Sequence, residues 1–423
     1  MVGGATTLSR ITKNTRADCK NRQIDRAPPS GERPAAKPLG PTDGLPAVEP
    51  LMKERMTRVA VLGGGQLGRM LGLAGIPLGV ECRFLDPEPE APAGAVGSVV
   101  TAGLDDLTAA AAVADGADVV TYEWEGVPAP VAFSLAGQHR VRPGPRALEV
   151  SQDRLAEKSL CAELGVGVPR HIAVDDRSGL DQAVAELGLP CVMKTRRGGY
   201  DGKGQLVLTV DANLDAAWGE LGGGLLLIEE LVPFTRELSV LAVRAADGRI
   251  ECWPVVENEH REGILRLSRA PAPGLTPDLQ TRAESIATAL LDELDYVGVL
   301  AVELFDTPDG LLVNELAPRV HNSGHWTIEG ATTSQFENHL RAILDMPLGA
   351  TTAIGESAMV NCLGTLPDPA AVLAVPGARL HVYGKEPRPG RKVGHVTVTA
   401  ADSAELERRL AALPESLGVF AAT

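Results

Sequence analysis

The segment at residues 196–205 reads RRGGYDGKGQ and places four glycines, a lysine and an aspartate within seven residues, between two predicted β-strands. Glycines allow backbone N–H groups to close over an anion, and Lys203 adds a positive charge. Three basic residues, Lys194, Arg196 and Arg197, stand before the glycines. A flexible hairpin tip would explain the glycines but not these basic residues. The segment therefore predicts a loop that covers a phosphate.

The stretches around this loop predict a middle region, residues 151–350, of mixed helix and mainly antiparallel strand. A helix, SQDRLAEKSLCAELG, opens it at Ser151, and the strands PCVMKTR and QLVLTV flank the loop. Further strand-like runs are LLLIEELV, ELSVLAVRA, IECWPVVENE and the pair VGVLAVELFD and GLLVNELAPR. Successive strands without intervening helices are typical of an α+β region.

Upstream, residues 57–150 predict a small doubly wound α/β domain. The run RVAVLGGGQLGRMLGLAGIPLG reads as a strand, a glycine turn and a helix, and the next strand ends in Asp86. Gly63, Gly65 and Gly68 form the pattern G-x-G-x-x-G, which occurs in dinucleotide-binding proteins. The same glycines suit any close packing of a strand on a helix, or a single phosphate at a helix N-terminus. The pattern leaves these alternatives open.

The two ends of the chain differ from this ordered part. Residues 1–56 lack periodicity and are rich in Pro, Gly, Lys and Arg, which predicts a disordered leader, with Met56 as an alternative start. Residues 351–423 contain SAMVNCLG, ARLHVYGKE, GHVTVTA and an amphipathic helix, SAELERRLAAL, which predicts a small β-rich C-terminal domain.

The composition of the 423 residues favours a globular protein without nucleic-acid or membrane partners. Its 40 Lys and Arg against 55 Asp and Glu leave a formal charge of -15, which would repel a polyphosphate backbone. No apolar run reaches the roughly 18 residues that a membrane helix needs. The six cysteines lack zinc-ligand spacing, and Cys191 sits in an apolar strand, which favours core packing over a nucleophilic role. We therefore expect a cytoplasmic protein.

The hairpin AVELFDTPDGLLVNELAPR predicts a metal site. Thr307–Gly310 reads as its turn, and counting outward from the turn places Glu303 roughly opposite Glu315. Two facing carboxylates among Val, Leu and Ala would repel each other, and a divalent cation between them would remove that cost. Hard oxygen ligands beside a nucleotide indicate Mg²⁺. The alternative is a pair of solvated carboxylates on the outside of an edge hairpin.

Further polar residues are candidates for ligand binding. Glu229 and Glu230, at the end of LLLIEELV, suit a hinge that holds an adenine and a ribose, although a solvated charge pair has the same spacing. Glu237 is similarly ambiguous. The loop APRVHNSGHW is dense in hydrogen-bonding groups, which suggests substrate positioning. His321 or His325 could bind a metal there, but a hydrogen-bonded structural histidine is the commoner case.

The segment KEPRPGRKVGH, residues 385–395, concentrates positive charge in an otherwise acidic chain. Lys385, Arg388, Arg391 and Lys392 lie within eight residues. This local charge suits a phosphate ester, and an exposed basic loop is the alternative.

With these motifs in hand, the chain resembles the 5-(carboxyamino)imidazole ribonucleotide synthetase family of the ATP-grasp superfamily. The resemblance extends from Thr57 to Thr397 and rests on GGGQLGRM, TYEWEGVP, QDRLAEK, KTRRGGYDGKGQ, ENEHREGIL, NELAPRVHNSGHWT and KEPRPGRKVGH, in this order. It implies an ATP-grasp fold, α/β and α+β, with an N-terminal pre-ATP-grasp doubly wound domain and a small C-terminal β-rich domain. It also implies Mg²⁺ as cofactor, a homodimer, and ATP, bicarbonate and aminoimidazole ribonucleotide as substrates.

The resemblance also implies roles for individual residues. The implied ATP-binding positions are Arg154, Lys194, Gly198, Gly199, Tyr200, Asp201, Gly202, Lys203, Gly204, Glu229, Glu230, Leu231, Val232, Glu237, Glu257, Asn314 and Glu315. At Glu257 the family often has a histidine. The implied magnesium ligands are Glu303 and Glu315. The candidates for the ribonucleotide are Gln66, Leu67, Glu123, Tyr200, Asp201, Arg319, Lys385 and Arg391, with Asp201, Arg319 and Lys203 as the catalytic candidates.

Three rival functions remain to be weighed against this one. A formate-dependent glycinamide ribonucleotide ligase of the same superfamily would have a similar ATP site, but KEPRPGRKVGH and the pair Tyr200 and Asp201 argue against it. A nicotinamide-dependent oxidoreductase would use the turn at residues 63–68 and hydrolyse no ATP. A regulatory module that only binds nucleotide would be expected to lose its metal ligands first, whereas Glu303 and Glu315 are both present.

Overall fold

The computed structural model describes residues 56–199 and 202–419. The predicted leader lies outside the described residues, apart from Met56. The strands are β1 (Thr57–Leu62), β2 (Val80–Asp86), β3 (Ser98–Thr101), β4 (Val119–Tyr122), β5 (His171–Val174), β6 (Cys191–Thr195), β7 (Gln205–Leu208), β8 (Leu226–Glu230), β9 (Arg236–Arg244), β10 (Ile250–Cys252), β11 (Val256–Arg261), β12 (Ile264–Ala270), β13 (Gly298–Thr307), β14 (Gly310–Ala317), β15 (Glu356–Leu363), β16 (Ala378–Val382) and β17 (Lys392–Ala400). The α-helices are α1 (Gln66–Gly75), α2 (Leu107–Ala114), α3 (Ala129–Ala136), α4 (Pro145–Ser151), α5 (Arg154–Glu163), α6 (Arg177–Leu187), α7 (Leu214–Glu220), α8 (Pro277–Glu293), α9 (Thr327–Gly330), α10 (Gln335–Ile343), α11 (Pro369–Leu373) and α12 (Ser403–Ala411).

The first sheet is parallel, with the order β3-β2-β1-β4. Successive side chains of β1 point to opposite faces, so Val59 and Val61 pack on α1 while Ala60 and Leu62 pack towards α2 and α3. Because both faces are covered, the strand reads as a continuous apolar run. The doubly wound arrangement predicted for this part of the sequence is observed.

The second sheet, β5-β8-β6-β7, is antiparallel and is covered by α6 and α7. Cys191 on β6 is fully buried in its core, and burial raises the pKa of its thiol, so the prediction of a packing role is confirmed. The other cysteines in the described part of the chain are also free. Cys19 lies outside it.

The third sheet has nine strands, with the order β14-β13-β9-β11-β12-β15-β17-β16 and β10 beside β9. The predicted antiparallel pairing of the middle region is confirmed. Strand β12 also pairs with β15, so the C-terminal strands extend this sheet. The sequence did not indicate this, because the pairing joins residues that are about ninety positions apart.

One predicted helix begins later than expected. The sequence suggested a helix from Ser151, whereas α4 ends at that residue and α5 begins at Arg154. Asp153 causes the break, because its carboxylate accepts a hydrogen bond from the backbone N–H of Leu155 and caps α5. The new start places Arg154 and Lys158 on one face of α5, four residues apart.

None of the helices in the described part of the chain is long and apolar enough to cross a membrane.

Candidate active site

A cavity of about 620 Å³ is lined by residues of the second and third sheets, of the segments that follow β1 and β4 of the first sheet, and of the glycine-rich loop. The predicted site residues that line it are Gln66, Leu67, Glu123, Arg154, Lys194, Gly202, Lys203, Leu231, Glu237, Glu303, Asn314, Glu315, Arg319 and Lys385. Two of them, Gln66 and Lys385, are hydrogen-bonded although they are 319 positions apart in the chain. The fold therefore assembles one site from motifs that are distant in sequence.

The predicted cations Arg154 and Lys194 are held by carboxylates on neighbouring elements. Arg154 Nη1 lies 3.1 Å from Glu315 Oε2, and Lys194 Nζ lies 2.7 Å from Glu229 Oε2. Lys158, which sequence reasoning missed, lies 3.2 Å from the other oxygen of Glu229. Burial alone raises the pKa of Glu229, but the two lysines outweigh it and hold that pKa below its usual value.

In the hairpin β13–β14, Glu303 lies directly opposite Glu315, although the register shifts by one residue between Glu303 and Leu304. Burial, together with the charge of Glu315, raises the pKa of Glu303 to about 7 although nearby His260 lowers it. A cation between the two carboxylates would remove this cost, so the pair fits Mg²⁺. No cluster of three or more His, Cys, Asp or Glu side chains suited to a metal occurs among residues 56–199 and 202–419. The remaining ligands would therefore be phosphate and water oxygens.

The glycine-rich loop uses backbone conformations that favour glycine. Gly198, Gly202 and Gly204 have φ angles of 79°, 75° and 73°. A Cβ on Gly202 would lie 2.9 Å from Gly263 Cα, in the turn between β11 and β12. Gly198 and Gly199 line an adjoining cavity of about 210 Å³ that shares Arg154 with the main one. Tyr200 and Asp201 lie outside the described residues, so their roles stay predictions.

The glycine turn after β1 is already occupied by carboxylates of the protein. Glu123 accepts hydrogen bonds from the backbone N–H groups of Gly65 (2.8 Å) and Gly68 (3.2 Å), and Asp86 accepts one from Gly64 (2.7 Å). A Cβ on Gly63 would lie 2.7 Å from Glu123 Oε1. The pyrophosphate of a dinucleotide would need the same donors, so the turn serves to hold Glu123 beneath the cavity.

Arg319 also lines the cavity and pairs with Glu125 at 2.7 Å. Burial raises the pKa of Glu123, and the nearby charges of Lys385 and Arg319 partly offset this rise. Arg391 does not line the cavity, and its guanidinium donates to the carbonyl of Glu386 in its own loop. Its neighbour Lys392 does line it.

The proposed hinge residues lie at different depths. Leu231 lines the cavity, whereas Glu230 accepts a hydrogen bond from the backbone N–H of Arg170, and Val232 is buried outside the lining. Glu257 pairs with Arg236 at 3.1 Å and does not line the cavity.

His260, three residues after Glu257, was missed by sequence reasoning and does line the cavity. Its Nδ1 lies 2.6 Å from Glu237 Oε2. Burial lowers the pKa of His260, but Glu237 and Glu303 together outweigh it and hold that pKa above its usual value. The histidine in the motif ENEHREGIL was the signal that could have identified it.

The two histidines that were weighed as metal ligands lie in different surroundings. His321 lines the cavity, with its Nε2 3.4 Å from Glu303 Oε1 and its Nδ1 2.9 Å from Ser323 Oγ. His325 is buried outside the lining, beside the side chain of Gln335. His325 is therefore a hydrogen-bonded structural histidine, whereas His321 is hydrogen-bonded and also lines the site.

Comparison with known proteins identifies the family. The chain matches the ribonucleotide synthetase preATP-grasp domain at residues 56–152, the ATP-grasp domain at 159–336 and the phosphoribosylaminoimidazole carboxylase C-terminal domain at 357–409. It is 49% identical over 354 residues to N5-carboxyaminoimidazole ribonucleotide synthase of Pseudomonas aeruginosa, an alignment that covers 84% of this chain and 98% of the relative.

Solved structures agree. The N5-carboxyaminoimidazole ribonucleotide synthetase of Thermus thermophilus is 51% identical with a TM-score of 0.83, covering 86% of this chain and all of that one. The Aspergillus clavatus synthase in complex with ADP and the 5-aminoimidazole ribonucleotide is 30% identical with a TM-score of 0.80, covering 86% and 98%. These matches confirm the predicted ATP-grasp fold with its preATP-grasp and C-terminal parts. The chain therefore belongs to the N5-carboxyaminoimidazole ribonucleotide synthase family of ATP-grasp ligases.

Proposed function

We propose that this chain is an ATP-dependent ligase that carboxylates the exocyclic amine of 5-aminoimidazole ribonucleotide in purine biosynthesis. ATP phosphorylates bicarbonate to carboxyphosphate, and the carboxyl group passes, as CO₂, to the amine with release of ADP and phosphate. The observation that carries the proposal is a single cavity lined by two groups of contacting side chains, which we take as its two ends. The first contains the cations and the carboxylate pair, and the other contains Gln66 and Lys385.

At the first end, the chain's own residues bind the triphosphate. Arg154 and Lys194 face the cavity from α5 and β6, and Lys203 reaches it from the glycine-rich loop. These cations balance the charge that develops on the transferred phosphoryl group. Glu303 and Glu315 would hold Mg²⁺, which supplies further charge neutralisation when bound.

At the other end, Lys385 and Arg319 bind the ribonucleotide and Gln66 orients it, since cations and amides suit a phosphate ester and a polar heterocycle. The glycine-rich loop excludes the water that would hydrolyse carboxyphosphate. Asp201 orients the amine or accepts its proton. An Asp201→Asn variant should lose carboxylation and keep ATP binding, and unchanged turnover would remove Asp201 from the mechanism.

A phosphate-release assay tests the proposal. With Mg-ATP and bicarbonate, release should require aminoimidazole ribonucleotide or become much faster when it is added. Formate with glycinamide ribonucleotide should give no such acceleration. If that pair were the better substrate, the formate-dependent ligase would be the correct function. A change in nicotinamide fluorescence without ATP turnover would instead favour the oxidoreductase.

We also propose that the protein works in the cytoplasm as a homodimer. Light scattering on the purified chain measures the subunit number directly, and a monomer at micromolar concentration would contradict the second part of this proposal.

A further inference from the structure

A row of buried polar side chains crosses the long sheet beside the carboxylate pair. Ser239 on β9 lies directly opposite Glu303, Asn258 on β11 lies two residues from the partner of Ser239, and Ser268 on β12 lies opposite Asn258. Ser239 and Ser268 are fully buried, as is Ser323 in the loop after β14, and Asn258 is 5% exposed. Polar groups so deep in a sheet are costly unless they are hydrogen-bonded.

These side chains form one continuous series of hydrogen bonds, in which each donates to the next from Ser268 towards His321. The hydroxyl of Ser268 donates to Asn258 Oδ1 (2.7 Å), and Asn258 Nδ2 donates to Ser239 Oγ (2.8 Å). Ser239 donates to Ser323 Oγ (2.8 Å), which lies 2.9 Å from Nδ1 of His321. Because each hydroxyl carries one hydrogen, that of Ser323 remains for Nδ1 of the histidine.

A second, longer contact favours the same arrangement. The backbone N–H of Ser323 points at His321 Nδ1 (3.4 Å), at the start of a 3-10 helix formed by Asn322–Gly324. A backbone N–H can only donate, so this contact also favours Nδ1 as an acceptor. The hydrogen of the neutral ring is then on Nε2, which lies 3.4 Å from Glu303 Oε1 and lines the cavity.

We propose that Ser268, Asn258, Ser239 and Ser323 are positioning residues that fix His321 as its Nε2–H tautomer. The ring then presents a neutral N–H donor to the cavity beside Glu303. The expected effect of this tautomer on turnover rests on the proposed function.

The tautomer is measured without substrates. In protein labelled with ¹⁵N at histidine and free of nucleotide, long-range ¹H–¹⁵N correlation spectra distinguish the two ring nitrogens, and the signals lost in His321→Gln give the assignment. We expect Nε2–H. An Nδ1–H ring would overturn the inference. Because no turnover is involved, a failure of the ligase assignment would leave this result intact, and the two failures are distinguishable.

Two serine variants test the positioning role. Ser239→Ala breaks the chain one step from Ser323 and should populate Nδ1–H, with kcat about 10-fold lower and an unchanged KM for ATP. Ser357→Ala is the matched control, because Ser357 on β15 is also fully buried but its hydroxyl has no hydrogen-bond partner among the described residues. It should leave both readouts unchanged. A loss of kcat in Ser239→Ala without a tautomer change, or no change in either, would contradict the role. If Ser239→Ala does not fold, the wild-type spectrum still shows whether His321 is the Nε2–H tautomer.

Discussion

Removing the charge of Glu229 tests how the ATP-binding cations are held. Its carboxylate is 2% exposed and lies 2.7 Å from Lys194 Nζ and 3.2 Å from Lys158 Nζ. At an effective dielectric constant of about 20, charges at these separations attract by about 6 and 5 kcal/mol, and desolvation of the three groups offsets most of this. Glu229→Gln keeps the shape but leaves two buried ammonium groups together.

We expect Glu229→Gln to lower the free energy of unfolding by about 3 kcal/mol, the lower end for breaking a buried pair, because the amide oxygen still accepts one hydrogen bond. For a folded unit of this size the melting temperature should fall by about 5 °C. The adjacent Glu230→Gln is the matched control. Within residues 56–199 and 202–419, its carboxylate accepts the exposed N–H of Arg170, so the substitution should change stability by about 0.5 kcal/mol or less.

The pH dependence gives a second readout of the same variant. Burial lowers the pKa of Lys194, and removing Glu229, which raises it, lowers it further. Above that lowered pKa the folded state binds fewer protons than the unfolded state, so stability rises with pH up to the ordinary lysine value. The deficit of Glu229→Gln should therefore shrink between pH 7 and pH 10 in urea titrations. A Glu229→Gln protein as stable as the wild type, or a deficit that grows with pH, would refute this account.

Three further predictions follow from single contacts. Glu303→Gln should lower the rate of phosphate release about 100-fold. Glu257→Gln, outside the cavity, is the control and should change that rate by no more than about twofold. A large loss of ATP affinity in Glu257→Gln would restore Glu257 as an ATP ligand. In Gly63→Ala the residue keeps a φ of 102° and its Cβ would lie 2.7 Å from a carboxylate oxygen, so the free energy of unfolding in urea should fall by about 3 kcal/mol. In the control Gly79→Ala, φ is 69° and the Cβ enters open space, so the fall should be about 1 kcal/mol. Equal losses in the two variants would contradict the steric clash at Gly63. Burial lowers the pKa of His339 to about 3, so its contribution to stability is present above pH 6.5 and is lost as the pH falls towards 3. His339→Gln should therefore reduce the slope of stability against pH in that window by up to about 1.4 kcal/mol per unit, and an unchanged slope would exclude His339 as its source.

Several local features could be read from the sequence because their causes act over a few residues. The turn at Thr307–Gly310 sets the register of its hairpin to within one residue, so counting brought Glu303 close to Glu315, and a register shift between Glu303 and Leu304 places them directly opposite. The glycine-rich loop at residues 196–205 was likewise recognisable from local composition, and three of its four glycines have positive φ angles. The helix start after Ser151 was misplaced by three residues, because the cap at Asp153 interrupts an unbroken helical pattern.

Other parts of the site have no local signal. Lys158 looks like an ordinary helix lysine until α5 packs beside β8 and places it on Glu229. His260 enters the cavity only because β11 lies between β9 and β12. The basic loop at residues 385–395 gave no indication that Lys385 would line the cavity and Arg391 would not.

The sequence by itself determined most of the strands, the turn at Thr307–Gly310, the glycine-rich loop and the family, since backbone preferences and motif order are properties of neighbouring residues. The tertiary structure decided which charges are paired, how the polar chain behind His321 runs and that the C-terminal strands extend the long sheet. The physical reason is that hydrogen bonds, ion pairs and burial depend on distances in space. Those distances join residues up to 319 positions apart, and no local pattern encodes them.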